Sequence, residues 1–196
     1  MKYFNTAGPV RPEDHYTLDI LGRIDLEEIL MLIEQKKYFI LHAPRQTGKT
    51  SSLLALRDFL NNQGKYYCLY INVEDAQAAR ENIHNGINSI VENIDIQVNM
   101  NMQWFNEKFL ELKKKCEDIT PESKLNKILN LISLSLDKPL ILFLDEIDSL
   151  VGDTLISVLR QLRSGYTNRP KGFPQTVILC GVRDVKDYRI HSSKEK

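Results

Sequence analysis

The sequence predicts an α/β protein: a three-layer α/β/α domain with a mostly parallel sheet. Short segments that are apolar throughout alternate with longer segments whose apolar residues recur every three or four positions. Parallel strands covered on both faces have the first pattern, and amphipathic helices have the second. No segment of the 196 residues has the composition of an interdomain linker. We therefore expect an N-terminal arm over 1–24, one domain over 25–190 and a frayed tail over 191–196.

Four strands and six helices are expected from these patterns. The strands are predicted at 38–41, 66–71, 140–144 and 176–180. The helices are predicted from 25 to about 33, at 49–60, and around 83–94, 105–116, 121–136 and 150–162. Thr120 and Pro121 provide an N-cap and a proline at the first helical position, which is typical of a helix start.

Composition argues against several classes of protein. The 26 Lys and Arg balance 26 Asp and Glu, so no overall basic excess favours nucleic-acid binding, although a local patch is not excluded. No run approaches the roughly 18 apolar residues of a membrane span, and the N-terminus has no apolar leader segment. Three widely spaced cysteines, Cys68, Cys116 and Cys180, fit neither a metal site nor a disulfide framework. These features indicate a cytoplasmic protein with reduced thiols in its core.

A phosphate-binding loop is predicted after the first strand. The sequence APRQTGKT matches G-x-x-x-x-G-K-S/T except at its first position, where Ala43 replaces glycine. Gly48 lets the backbone approach a phosphate, Lys49 reaches the β- and γ-phosphates, and the Thr50 hydroxyl binds magnesium. The following helix directs its positive end at the anion. The predicted ligands are ATP and Mg²⁺, and the predicted nucleotide contacts are Ala43, Pro44, Arg45, Gln46, Thr47, Gly48, Lys49, Thr50 and Ser51. A chance strand-loop-helix match is the alternative.

Two acidic residues follow the third strand directly. A carboxylate at this place, that of Asp145, holds magnesium through water beside the phosphate loop. Glu146 is then placed to act as the general base that polarises the attacking water. The alternative is that Asp145, Glu146 and Asp148 only open the next helix, where acidic residues offset the helix dipole.

Other candidate contacts have two interpretations each. Arg183, after the fourth strand, either stabilises the γ-phosphate or forms a surface ion pair. His15, Tyr16 and Arg23, before the first strand, either contact the base or cover the edge of the sheet.

Two further groups of charged residues are also open to interpretation. Glu74 and Asp75 either lie near the site or cap a helix. Arg160, Arg163, Arg169 and Lys171 form an arginine finger, a partner surface or a solvated loop.

The segments HAPRQTGKTS, ILFLDEID and VILCGVRD, in this order, resemble the AAA-like, STAND-type ATPases of the P-loop class. The stretches FNTAGPVRPEDHY and GYTNRPKGFPQTVILCGVRDVKDYRI are similar to bacterial "AAA-like domain" proteins, so the resemblance covers nearly the whole chain. It implies a P-loop NTPase-like fold with sheet order 5-1-4-3-2. It implies the same roles for Lys49, Thr50, Asp145 and Glu146, and it places Arg183 at the end of the sensor strand.

Members of that family continue into a fifth strand, a helical lid and often a winged helix. The sequence is therefore expected to be the N-terminal nucleotide-binding part, truncated before the lid, with only a poor fifth strand near 188–191. The expected function is hydrolysis of Mg-ATP that drives or times a conformational change. The alternative is a non-hydrolysing, nucleotide-dependent switch or scaffold that binds a protein partner or self-associates. Nucleic acid as a partner has no support in the sequence, and membrane contact is not expected.

Overall fold

A computed structural model describes residues 2–6, 11, 13–17, 19–42, 44 and 47–182. Within them, four parallel strands form one sheet in the order β1-β4-β3-β2. The strands are β1 (Phe39–His42), β2 (Tyr67–Asn72), β3 (Leu140–Asp145) and β4 (Thr176–Gly181). Each of the four predicted strands is confirmed, with boundaries within one residue of the prediction.

The predicted helices are present with shifted ends. They are α1 (Leu26–Glu34), α2 (Lys49–Asn62), α3 (Ile83–Asn101), α4 (Asn106–Lys114), α5 (Pro121–Ser135) and α6 (Gly152–Gly165). Asp25 caps α1, since its carboxylate accepts the N–H of Glu28 at 3.0 Å. Thr120 occupies the N-cap position of α5 and Pro121 its first turn, but the Thr120 side chain makes no capping hydrogen bond.

Helices cover both faces of the sheet. Along β3 every residue is buried, and successive side chains point to opposite faces. Ile141 and Phe143 pack with the buried residues of α1 and α2. Leu142 and Leu144 pack instead with those of α3, α5 and α6. The chain is thus an α/β protein with a helical layer on each face of a parallel sheet, as predicted.

The described part of the predicted N-terminal arm contains little regular secondary structure. Tyr3 and His15 form an isolated parallel bridge, and a short 3₁₀ helix spans Leu21–Arg23. Leu21 and Ile24 pack on the core face that α1 and α2 share. The predicted fifth strand and the tail lie outside the described residues.

All three cysteines are buried and free, as predicted. Cys68 lies in β2 and Cys180 in β4, where their side chains join the core on the α2 face of the sheet. No helix within the described part of the chain is long and apolar enough to cross a membrane.

Candidate functional site

The predicted site residues lie where parallel strands end. β1 and β3 flank β4, and the helices that follow them, α2 and α6, pack on opposite faces of the sheet. Because the chain leaves β1 and β3 towards opposite faces, a crevice opens between them at the carboxyl edge of the sheet. Open α/β sheets bind ligands at such a crevice. The predicted phosphate loop follows β1, and the predicted acidic pair ends β3.

The loop that follows β1 turns into α2 at Gly48. This residue is the N-cap of α2 and has φ 83° and ψ 22°, a left-handed conformation that glycine adopts readily. The Thr47 hydroxyl donates to the carbonyl of Pro44 at 2.8 Å, and Lys49 Nζ donates to the same carbonyl at 3.0 Å. Lys49 therefore extends back across the loop. Ala43, Arg45 and Gln46, the other predicted contacts of this loop, lie outside the described residues.

The first turn of α2 begins directly after this loop. The hydrogen bond from Ser52 N to Gly48 O, at 2.9 Å, closes this first turn, and the N–H groups of Lys49, Thr50 and Ser51 precede it at the N-terminus of the helix. These N–H groups carry the positive end of the helix dipole. The N-terminus of α2 therefore suits an anion, and Lys49, the first residue of this helix, adds a positive charge.

The Asp145 carboxylate is completely buried and joins the two predicted motifs. Its Oδ2 accepts the Thr50 hydroxyl at 2.8 Å and the Tyr70 hydroxyl at 2.8 Å, and its Oδ1 accepts the Glu146 N–H at 3.0 Å. Burial and the negative charge of this carboxylate raise the pKa of the nearby Cys180 thiol. The three hydrogen-bond donors are neutral groups, so they satisfy the oxygens without cancelling the negative charge. Thr50 and Asp145, the predicted magnesium pair, are thus in direct contact.

Glu146 lies among other acidic side chains at the end of β3. Burial raises the pKa of its carboxyl, the charges of Asp145, Asp148 and Glu74 raise it further, and the charge of Lys49 opposes them. Its backbone is left-handed, with φ 57°, which costs a non-glycine residue about 1 kcal/mol or more. Strain of this kind is often found at functional sites.

The alternative interpretation of the acidic residues explains part of their placement. Glu146 precedes a 3₁₀ helix over Ile147–Ser149, and Asp148 lies in its first turn. Asp148 Oδ1 accepts the N–H of Val182 at 3.3 Å, which ties this helix to the end of β4. A helix start does not account for the bond between Asp145 and Thr50. Glu74 lies in the first turn of another 3₁₀ helix, whose N-cap is Val73 and has no side-chain capping hydrogen bond. The charge of Glu74 contributes to the raised pKa of Glu146.

A cavity of about 290 Å³ opens beside the loop. Arg23 donates from Nη2 to the carbonyl of Thr47 at 3.0 Å and thereby joins the N-terminal segment to the loop. The volume is near the lower end of small-molecule sites. Both apolar and polar side chains line it: Arg23, Ile24, Leu41, His42, Thr47, Lys49, Ser52, Leu53, Leu56 and Cys180.

The structure brings only part of the predicted base-binding group to this cavity. Arg23 lines it, whereas His15 and Tyr16 do not. His15 is buried against Tyr3, with ring centroids 4.8 Å apart, and Tyr16 is exposed and packs on Phe4. Base contacts by His15 and Tyr16 stay a prediction. Arg183 lies outside the described residues.

The sequence did not indicate Tyr70, His42 or Cys180 as site residues. The strand register contains a signal for Tyr70. Tyr70 is opposite Phe143, and Asp145 is two residues after Phe143 on β3, so the Tyr70 and Asp145 side chains lie on the same face of the sheet. Reading that signal requires knowing that β2 neighbours β3, which one sequence does not establish.

Arg169 has a structural role at the opposite edge of the sheet. Its guanidinium stacks 3.4 Å from the centroid of the Tyr166 ring. Its donors bind the carbonyls of Tyr166, Gln175 and Lys36. Lys36 and Gln175 precede β1 and β4, so Arg169 fastens the amino ends of these strands.

The donor set fits a magnesium-bound nucleotide. Mg²⁺ prefers hydroxyl and carboxylate oxygens, which Thr50 and Asp145 supply, together with oxygens of a bound phosphate. Lys49 and the N–H groups of α2 supply the positive charge that phosphates require.

A comparison of the chain with protein-family models finds no match, and a comparison with curated proteins finds none either. The similarity to AAA-like, STAND-type ATPases therefore rests on the sequence segments quoted above, and what it implies remains a prediction.

Proposed function

We propose that this chain binds ATP together with Mg²⁺ and hydrolyses the ATP. The observation that carries the proposal is the 2.8 Å hydrogen bond from Thr50 Oγ1 to the buried carboxylate of Asp145. It joins a glycine-containing loop at a helix N-terminus to an acidic strand end 95 residues later. A P-loop NTPase uses this combination of a hydroxyl and a carboxylate to hold its metal ion.

Binding would use groups whose present partners a phosphate can replace. Lys49 Nζ now donates to a loop carbonyl, and a phosphate oxygen is a stronger acceptor because it is charged. The N–H groups of the first turn of α2 would donate to the β-phosphate. Magnesium bound by Thr50, and through water by Asp145, would neutralise charge on the β- and γ-phosphates. The apolar part of the cavity, which includes Ile24 and Leu53, would accept the base.

Hydrolysis would use Glu146 as the general base. Its carboxylate takes a proton from water while the water oxygen forms a bond to the γ-phosphorus. The bond from the γ-phosphorus to the bridging oxygen breaks, and the products are ADP and inorganic phosphate. The raised pKa of Glu146 makes it a stronger proton acceptor than an exposed glutamate. Arg183, by the family resemblance, would stabilise the γ-phosphate.

The strand order of the sheet supports this proposal. The order β1-β4-β3-β2 of the described strands is compatible with the order 5-1-4-3-2 of the P-loop class. We propose this class for the chain, with a cytoplasmic location and with a protein partner or a second copy responding to the bound nucleotide.

Phosphate release and ATP binding, measured on the same protein samples, test the proposed function. We expect Glu146→Gln to keep its affinity for Mg-ATP and to lose phosphate release by about 100-fold or more, because a general base contributes about that much. Glu122→Gln, at an exposed position in the first turn of α5, is the control and should release phosphate at the wild-type rate.

Two results would revise the proposal. Wild-type phosphate release by Glu146→Gln would show that Glu146 is not the base. Tight Mg-ATP binding by the wild type without phosphate release would favour the nucleotide-dependent switch over the ATPase.

A further inference from the structure

Tyr70 holds the buried carboxylate on which the proposed site depends. Its hydroxyl donates to Asp145 Oδ2 at 2.8 Å, and the same oxygen accepts Thr50 Oγ1 at 2.8 Å. Tyr70 is only 8% exposed and Asp145 is 0% exposed. A hydrogen bond so far from bulk water is stronger than one at the surface, and its loss is more costly.

The position of Tyr70 on β2 explains how its side chain reaches this carboxylate. In the parallel register Tyr70 is opposite Phe143, and Asn72 is opposite Asp145. Tyr70 and Asp145 therefore point to the α2 face of the sheet, two residues apart along neighbouring strands. The Tyr70 ring packs in the core on this face, and its hydroxyl extends towards the carboxyl edge.

The Tyr70 hydroxyl acts as a donor to this carboxylate. The hydrogen bond runs from the Tyr70 hydroxyl to Asp145 Oδ2, because an ionised carboxylate can only accept. The torsion that turns an aspartate carboxylate about its last bond is broad, so packing alone fixes it poorly. Two O–H donors from different elements, β2 and α2, fix Oδ2 between them.

We propose that Tyr70 is a positioning residue for the magnesium–nucleotide site, because its hydroxyl holds Asp145 Oδ2 against Thr50 at the start of α2. The inference rests on the proposed function. It concerns the part of the ATP affinity that depends on magnesium, because Asp145 is the proposed metal ligand. Tyr70 acts through Asp145, and the Lys49 side chain and the N–H groups of α2 do not depend on it. Loss of the Tyr70 hydroxyl should reduce the contribution of magnesium to ATP affinity and leave the phosphate contacts of Lys49 and α2 intact.

The test measures ATP affinity with excess Mg²⁺ and again with the metal chelated, for wild type, Tyr70→Phe and Tyr67→Phe. Tyr67 is the matched control: it lies on the same strand, and its hydroxyl donates to Asp137 Oδ1 at 3.0 Å, away from Asp145. We expect Tyr70→Phe to weaken Mg-ATP binding by about tenfold, with metal-free ATP binding changed by less than about twofold. Tyr67→Phe should change neither affinity.

A double-mutant cycle separates positioning from general destabilisation. In an Asp145→Asn background, Tyr70→Phe should cause no further loss of Mg-ATP affinity, because the carboxylate that it positions is gone. The inference is overturned if the wild type binds Mg-ATP and Tyr70→Phe matches it. It is also overturned if Tyr70→Phe weakens metal-free binding equally, or if its effect persists in Asp145→Asn. Failure of the wild type to bind ATP would instead reject the proposed function itself.

Discussion

Gly48 is the residue at which the loop backbone turns into α2, and the substitution Gly48→Ala tests whether this turn requires glycine. At φ 83° an alanine incurs about 1–2 kcal/mol of backbone strain, partly offset by the lower entropy of its unfolded chain. The added Cβ would lie 3.2 Å from Arg23 Nη1, so the guanidinium, which donates to the Thr47 carbonyl, must move by a few tenths of an ångström. That exposed hydrogen bond contributes about 0.5 kcal/mol. We expect a loss of about 1–2 kcal/mol in the free energy of unfolding.

Gly64→Ala is the matched control for this prediction. Gly64 follows α2 at its other end with φ 70°, and a Cβ there would meet nothing within 4 Å. The Gly64→Ala variant should therefore lose about 1 kcal/mol in the free energy of unfolding, from backbone strain alone. Urea denaturation gives both stabilities, and ATP titration should show reduced affinity for Gly48→Ala only. A Gly48→Ala protein as stable as the wild type, beside a destabilised Gly64→Ala, would refute the left-handed turn at Gly48.

Two further predictions concern stability. Because folding raises the pKa of Glu146, its contribution to stability is present below the ordinary glutamate pKa and is lost as the pH rises through the raised value. Glu146→Gln should therefore unfold at higher urea concentration than the wild type at pH 7 and lose that advantage below pH about 4; no advantage at pH 7 would contradict the raised pKa. Arg169→Lys keeps the charge but loses the planar fork that binds Lys36, Gln175 and Tyr166, so it should lower the free energy of unfolding by about 1–3 kcal/mol. Its ATP affinity should stay unchanged, and a large loss of affinity would restore the arginine-finger interpretation of Arg169.

The sequence predicted the elements well where a single physical pattern determines them. β3 is apolar throughout because both faces are covered, and Asp25 marks the start of α1 because its carboxylate caps the helix. The contact between Thr50 and Asp145 could also be anticipated, since a helix N-terminus and a strand end meet at the carboxyl edge of a parallel sheet.

Properties that depend on the neighbours of a strand could not be predicted from the sequence alone. Tyr70 reads as an ordinary core aromatic until β2 is known to pair with β3. In the sequence Arg169 is one of several basic residues in or near its loop, and only the packed structure shows that it fastens strand ends far from the site. The 3₁₀ helix after β2, Glu74–Ala79, has no apolar period long enough to reveal it.

The most direct test of the account is the ATP affinity of Lys49→Ala in the presence of Mg²⁺, measured by isothermal titration calorimetry beside the wild type. Lys65→Ala, which removes an exposed lysine after α2, is the control for the loss of one positive charge. We predict that the wild type and Lys65→Ala bind Mg-ATP alike and that Lys49→Ala loses affinity by about 10- to 100-fold, because a charged hydrogen bond to phosphate is gone. Undiminished affinity in Lys49→Ala would contradict the assignment of the loop before α2 as a phosphate-binding site.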